Sequence, residues 1–124
     1  MDIKFKGGFN IAIKIPKSKY ENTVDFYKNI LKLEVTEVLM NNSTVSKSHK
    51  VDFGDSTIWL DCVDNYTHSE VWLELRTNDV EKATEYLLSN SVETCDEIEE
   101  IPQNMHWIQD PSGTVFILKQ GIEQ

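Results

Sequence analysis

With 124 residues, two-fifths of them apolar and 27% charged, the chain has the make-up of a packed globular domain, not that of a fibre or a disordered tail. Its net charge of −9, from 21 acidic and 12 basic side chains, repels phosphate backbones; this argues against a nucleic-acid partner and is compatible with cationic ligands. No apolar run approaches the roughly 18 residues of a membrane-spanning helix, residues Met1 to Phe9 carry no signal-like apolar core, and the two cysteines, Cys62 and Cys95, stand outside any metal-binding cluster, so a cytoplasmic protein with reduced thiols and no membrane partner is expected.

The first periodic segment is Phe9 to Ile15, where Ile11, Ile13 and Ile15 alternate with Asn10, Ala12 and Lys14. That alternation predicts a strand with one apolar face, ended by Pro16. Ser18 is a candidate helix N-cap, and Val24, Tyr27, Ile30 and Leu31 recur at helical spacing through Lys32. Three strand-like stretches follow, Glu34 to Met40, Val45 to Phe53 and Thr57 to Val63, with Gly54-Asp55-Ser56 turning between the last two.

The same order then recurs. Val71 to Arg76 alternates as a strand, Asn78 or Asp79 caps a helix through about Ser89, and Glu93 to Ile98 is read as a strand. Met105 to Gln109 and Val115 to Lys119 form a hairpin around Asp110-Pro111-Ser112-Gly113. Strand, helix and three strands are thus written twice at an offset of about 60 residues, with Asn10 matching Trp72 and Trp59 matching Ile117.

Three segments carry a resemblance. Asn10-Ile11-Ala12-Ile13-Lys14-Ile15-Pro16 is similar to the opening strand, Phe26-Tyr27-Lys28-Asn29-Ile30-Leu31 to the first-half helix, and Asp110-Pro111-Ser112-Gly113-Thr114 to the second-half hairpin of the vicinal-oxygen-chelate superfamily, which includes glyoxalases, extradiol dioxygenases and bleomycin-resistance proteins. Thr114 stands where the family usually has Asn. The resemblance runs from about Phe9 to Gln120 and implies an α+β fold. Two tandem βαβββ modules, about 9–64 and 70–120, would form a curved mixed sheet around a groove in one domain spanning 1–124. It also implies a homodimer.

Alternation assigns the faces within that fold. Ile11, Ile13, Ile58, Leu60, Leu73, Leu75, Phe116 and Leu118 are expected beneath the helices. Asn10, Ala12, Trp59, Asp61, Trp72, Glu74, Arg76, Val115 and Ile117 are expected to face the groove. In the family's metalloenzymes, His and Glu from the first and last strands of each half hold a divalent ion. Here the resemblance places Asn10, Trp59, Trp72 and Ile117 at those positions, none of them an imidazole, carboxylate or thiolate.

The expectation is therefore a metal-free binding protein, without a cofactor or a catalytic residue, resembling the bleomycin-resistance members. It would take a flat or cationic small molecule through Asn10, Trp59, Asp61, Trp72, Glu74, Arg76, Trp107 and Ile117, the indoles stacking and the carboxylates pairing with positive charge. Two other readings stand beside it. One is a divalent-metal lyase, isomerase or dioxygenase using Asp61, Glu74 and His106 after a two-residue shift of register; the other is a structural partner whose groove is closed by dimerisation. His68 is expected in an exposed linker, and His106 on the helix side of its strand, away from groove chemistry. No nucleophile elbow or phosphate-binding glycine loop is present.

Overall fold

The computed structural model describes residues 2–111 and 113–121. They form two compact units, the first Phe9–Trp72 and the second residues 2–8 with 73–121.

In the first unit, β1 (Phe5–Pro16, whose residues from Phe9 onward belong here) lies parallel to β4 (Ser56–Val63), with Ile11 opposite Ile58 and Ile13 opposite Leu60. β3 (Lys47–Phe53) pairs antiparallel with β4 and with β2 (Val35–Val38), giving a mixed sheet in the order β2-β3-β4-β1. Helix α1 (Lys17–Asp25) buries Tyr20 and Val24 against Ile15, Val51, Ile58, Leu60 and Cys62, with Ile11 and Ile13 packed alongside. The face of the sheet expected beneath the first helix is the one found there.

The helix differs from expectation at both ends. Pro16, not Ser18, occupies the N-cap position, with φ −55° and ψ 141°, and no side chain caps the first turn. Proline pre-sets its own φ and has no N–H to satisfy, which suits a helix start. At the other end the hydrogen bonds widen: the Leu31 N–H reaches the Phe26 carbonyl at 2.9 Å, five residues back, and Phe26–Ile30 is a π-helical turn. Lys32, at φ 58°, ends it. The strand expected from Val45 begins at Lys47, because the Asn42 carboxamide accepts from the N–H groups of Thr44 and Val45 and holds that stretch in a turn. Gly54, at φ 62°, makes the two-residue turn between Phe53 and Ser56.

In the second unit β5 (Glu70–Thr77, from Leu73 onward) lies parallel to β7 (Val115–Gln120), and β6 (Met105–Gln109) pairs antiparallel with β7, in the order β5-β7-β6. Helix α2 (Val80–Ser89) is capped by Asp79, whose carboxylate accepts from the Lys82 N–H at 3.0 Å. The β6–β7 turn is held by Asp110, which accepts from Gly113 N–H through its carbonyl and from Thr114 N–H through its side chain, each at 3.0 Å; Ser112 lies outside the described residues.

Two expectations fail here. Glu93 to Ile98 is not a strand: it is loop with a short 3-10 turn at Asp96–Ile98. Cys95 N–H pairs with the β6 backbone at Trp107 O, and the Asp96 carboxylate takes the Trp107 N–H and the His106 ring. The acidic side chains Glu93, Asp96 and Glu97 are poor strand formers in any case. Among the described residues the second module is therefore βαββ. Leu73, expected beneath α2, remains 36% exposed, since the helix buries only Val80 and Ala83. Among the described residues, no helix is long and apolar enough to cross a membrane.

Candidate functional site

The face of the first unit's sheet turned away from α1 carries side chains from β1, β3 and β4 at paired register. Asn10 and Trp59 are joined by a hydrogen bond from the indole Nε1 to the Asn10 Oδ1 at 2.8 Å. Lys50, one strand over and paired with Trp59, holds its ammonium 5.6 Å from the indole ring centre. Trp59 and Asn10 are half-buried and Lys50 is exposed, so this part of the face is open to a ligand.

Two rungs further along, the face closes. Lys14 lies opposite Asp61, with Nζ donating to Oδ2 at 2.8 Å; Ser48 donates to the other carboxylate oxygen at 2.7 Å. The Lys14 ammonium also sits 4.2 Å from the centre of the Trp72 ring. Lys14, Ser48 and Trp72 are at most 3% exposed and Asp61 7%. A buried ammonium needs such company, since desolvating either charge without its partner is costly.

In the second unit, Glu74, Ile117 and Trp107 share one sheet face through the pairs Glu74 with Ile117 and Ile117 with Trp107. Glu74 accepts from Arg76 Nε at 2.9 Å and packs over Gly8, where an added Cβ would lie 1.9 Å from the carboxylate oxygen. The Trp107 indole donates to the Glu99 carbonyl at 3.0 Å and is 3% exposed.

Of the residues read from the sequence as ligand contacts, Asp61 pairs with Lys14 in the first unit, and Glu74, Ile117 and Trp107 share a face in the second; the chemistry they offer differs from that expected. Asp61 and Glu74 are buried carboxylates already paired with Lys14 and Arg76, where the sequence suggested negative charge available to a cationic ligand. Trp72 and Trp107 are covered, so of the three indoles Trp59 offers the most surface. Lys14, Ser48 and Lys50 were missed. The alternation that put Asn10 and Ala12 on this face also puts Lys14 there, and the same count along β3 selects Ser48 and Lys50.

The positions that the resemblance matches to a divalent-ion site do not suit one here. Asn10 Oδ1 accepts from Trp59, the Trp72 indole donates to Glu70 at 3.2 Å, and Ile117 has no donor atom. The alternative set fares no better: Asp61 is bound to Lys14 and Ser48, Glu74 to Arg76, and His106 to Asp96. Among the described residues no group of three or more His, Cys, Asp or Glu is placed to hold a metal ion.

No family model matches the chain, and no curated protein matches it. Solved structures do. A hypothetical protein from Bacillus halodurans C-125 aligns over 97% of this chain and 96% of its own, with TM-score 0.68 and 14% identity. The methylmalonyl-CoA epimerase from Mycobacterium tuberculosis aligns over 94% and 88%, with TM-score 0.66 and 13% identity. A glyoxalase/bleomycin resistance protein/dioxygenase superfamily member from Vibrio splendidus 12B01 aligns over 90% and 97%, with TM-score 0.58 and 12% identity.

Proposed function

From the premise that the chain has the vicinal-oxygen-chelate fold, we propose that it is a metal-free small-molecule-binding protein whose recognition surface is the Trp59 end of the first unit's sheet. The observation that carries this reading is the half-buried Trp59 ring, fixed at its nitrogen by Asn10 and flanked on its face by the exposed Lys50 ammonium. A ring held at its polar edge loses little freedom on binding, so a flat ligand stacking on it gains contact at low entropic cost.

The charge preference follows from the same geometry. A cationic ligand would compete with Lys50 for the indole face and with Lys14 for Asp61. A flat ligand bearing a carboxylate or phosphate instead pairs with Lys50 while stacking on Trp59. We therefore favour a flat anion over the flat cation that the sequence suggested. A homodimer, implied by the resemblance, belongs to the same proposal; a monomer mass by light scattering would remove it.

The test is a tryptophan-fluorescence titration with 2-naphthoate and, in parallel, with naphthylmethylammonium. Quenching by the anion that is lost in Trp59→Leu and weakened about tenfold in Lys50→Ala supports the site, the latter corresponding to about 1.4 kcal/mol. Equal affinity for the two probes, or no effect of either substitution, defeats it.

A further inference from the structure

We propose a second small-molecule site in the second unit, on the α2 side of its sheet, that takes a short alkylammonium ion. A cleft of about 440 Å³ opens there, lined by Thr84, Glu85 and Leu88 of α2, by Val92 and Glu93 of the following loop, and by His106 of β6. Its volume lies within the usual range for small-ligand pockets.

His106 is the fixed element of this cleft. Its Nδ1 donates to Asp96 Oδ2 at 2.7 Å, and the other Asp96 oxygen is itself held by the Trp107 N–H at 2.9 Å. The turn that carries Asp96 is fastened a third time by Cys95 N–H to the Trp107 carbonyl at 2.7 Å. An imidazole whose Nδ1 carries the hydrogen toward a carboxylate leaves Nε2, in the neutral ring, as an acceptor. The residue is half-buried and lines the cleft.

The rest of the lining defines what suits it. Leu88 and Val92 supply an apolar wall for a chain of a few carbons, and Leu88 is 59% exposed, an apolar surface that a ligand would cover. Glu85 and Glu93 bring negative charge to the rim, and the net charge of −9 raises the local concentration of cations. An ammonium group can donate at once to a carboxylate and to a neutral imidazole, and its alkyl tail lies on the leucine and valine. An anion would meet two carboxylates and no lysine or arginine in the lining. A transition-metal ion is not the occupant, because the described residues here offer no set of three metal-binding side chains.

The experiment is an NMR titration of the full chain with pentylammonium, run beside hexanoate. Shifts at Thr84, Leu88, Val92 and the His106 ring that saturate in the millimolar range, absent with hexanoate, are expected. Glu85→Gln with Glu93→Gln should weaken the interaction at least tenfold, and His106→Phe several-fold, each with the remaining spectrum unchanged. Asp96→Asn separates a purely structural role: it keeps a polar partner for the turn, so a variant that folds normally yet binds pentylammonium less tightly shows that the orientation of the ring matters. No shift at millimolar amine, an equal response to hexanoate, or full affinity in the double Gln variant would overturn the site.

Discussion

Lys14 and Asp61 face one another across the parallel pair β1 and β4, 2.8 Å apart between Nζ and Oδ2, with the lysine only 3% exposed. Ser48 and the Trp72 ring complete the enclosure of this pair. Two opposite charges buried together cancel most of each other's desolvation cost, whereas one alone has nothing to offset it.

Removing either partner should therefore destabilise the chain by about 3–5 kcal/mol, while the double replacement Lys14→Met with Asp61→Leu should cost far less than the sum. Urea unfolding of the two single variants and the double variant gives the coupling directly. Additive losses would show that the pair is not an interacting unit.

Tyr20 gives a pH-dependent prediction. Its hydroxyl donates to the Leu60 carbonyl at 2.8 Å, and having one hydrogen it accepts from His49 Nδ1 at 2.6 Å. Burial, and then the negative charge of Asp61, push the phenol well above its ordinary range. The unfolded chain releases this proton near pH 10 and the folded chain only at higher pH, so the contribution is complete below about pH 10 and is lost as pH rises beyond it. Stability of the native chain should fall as pH rises above that point, and Tyr20→Phe should show a shallower fall there. The same substitution should cost about 1–3 kcal/mol at neutral pH, from the carbonyl and imidazole it leaves unpaired. Parallel slopes for the two proteins in alkaline denaturation curves would refute the assignment.

These two clusters also show where sequence reading stops. Alternation of Ile11, Ile13 and Ile15 was enough to place β1 and its buried face, because the side-chain period of a strand is a local property. It marks Lys14 as facing the other way, but it does not reveal that the residue opposite is Asp61; that depends on the register of β1 against β4, set by contacts 47 residues apart. The loop at 93–98 was misread for a related reason. Beyond the Cys95 N–H, its pairing with β6 runs through the Asp96 side chain, and nothing local distinguishes a carboxylate that captures a distant N–H from one that points to water. Burial of Trp72 and Trp107 was likewise invisible, since covering an indole takes residues such as Lys14 and Glu99 from elsewhere in the chain.

The start of α2 is a case that was legible. Asp79 was one of two candidates for the cap and is the residue that accepts from the Lys82 N–H, so Asp79→Ala should cost about 1 kcal/mol through that lost bond. Asn78 plays a different part: it is 1% exposed, accepts from Lys4 N–H at 2.9 Å and donates to the Asp2 carbonyl at 2.8 Å. Asn78→Ala should therefore cost more than Asp79→Ala and should speed amide exchange at Lys4, where Asp79→Ala leaves that amide protected. The reverse ranking in thermal unfolding would mean that the N-terminal segment contributes little to the second unit.

Among the chain's glycines, Gly8 has the least room for a side chain. A Cβ at this position would lie 1.9 Å from Glu74 Oε1 and 2.5 Å from its Cγ, so the whole carboxylate arm would have to leave its place. Glu74 is buried and tied to Arg76 at 2.9 Å, which makes that movement costly twice over, in overlap and in a broken ion pair. Gly8→Ala should destabilise the chain by about 1–3 kcal/mol. Shortening the arm offers a relief: in a Glu74→Ala background the clash has no partner, so the additional effect of Gly8→Ala should fall to a few tenths of that or less, or become stabilising through the reduced freedom of the unfolded chain. A thermal-denaturation cycle over the four proteins decides it, and an undiminished loss in the Glu74→Ala background would place the obstruction elsewhere.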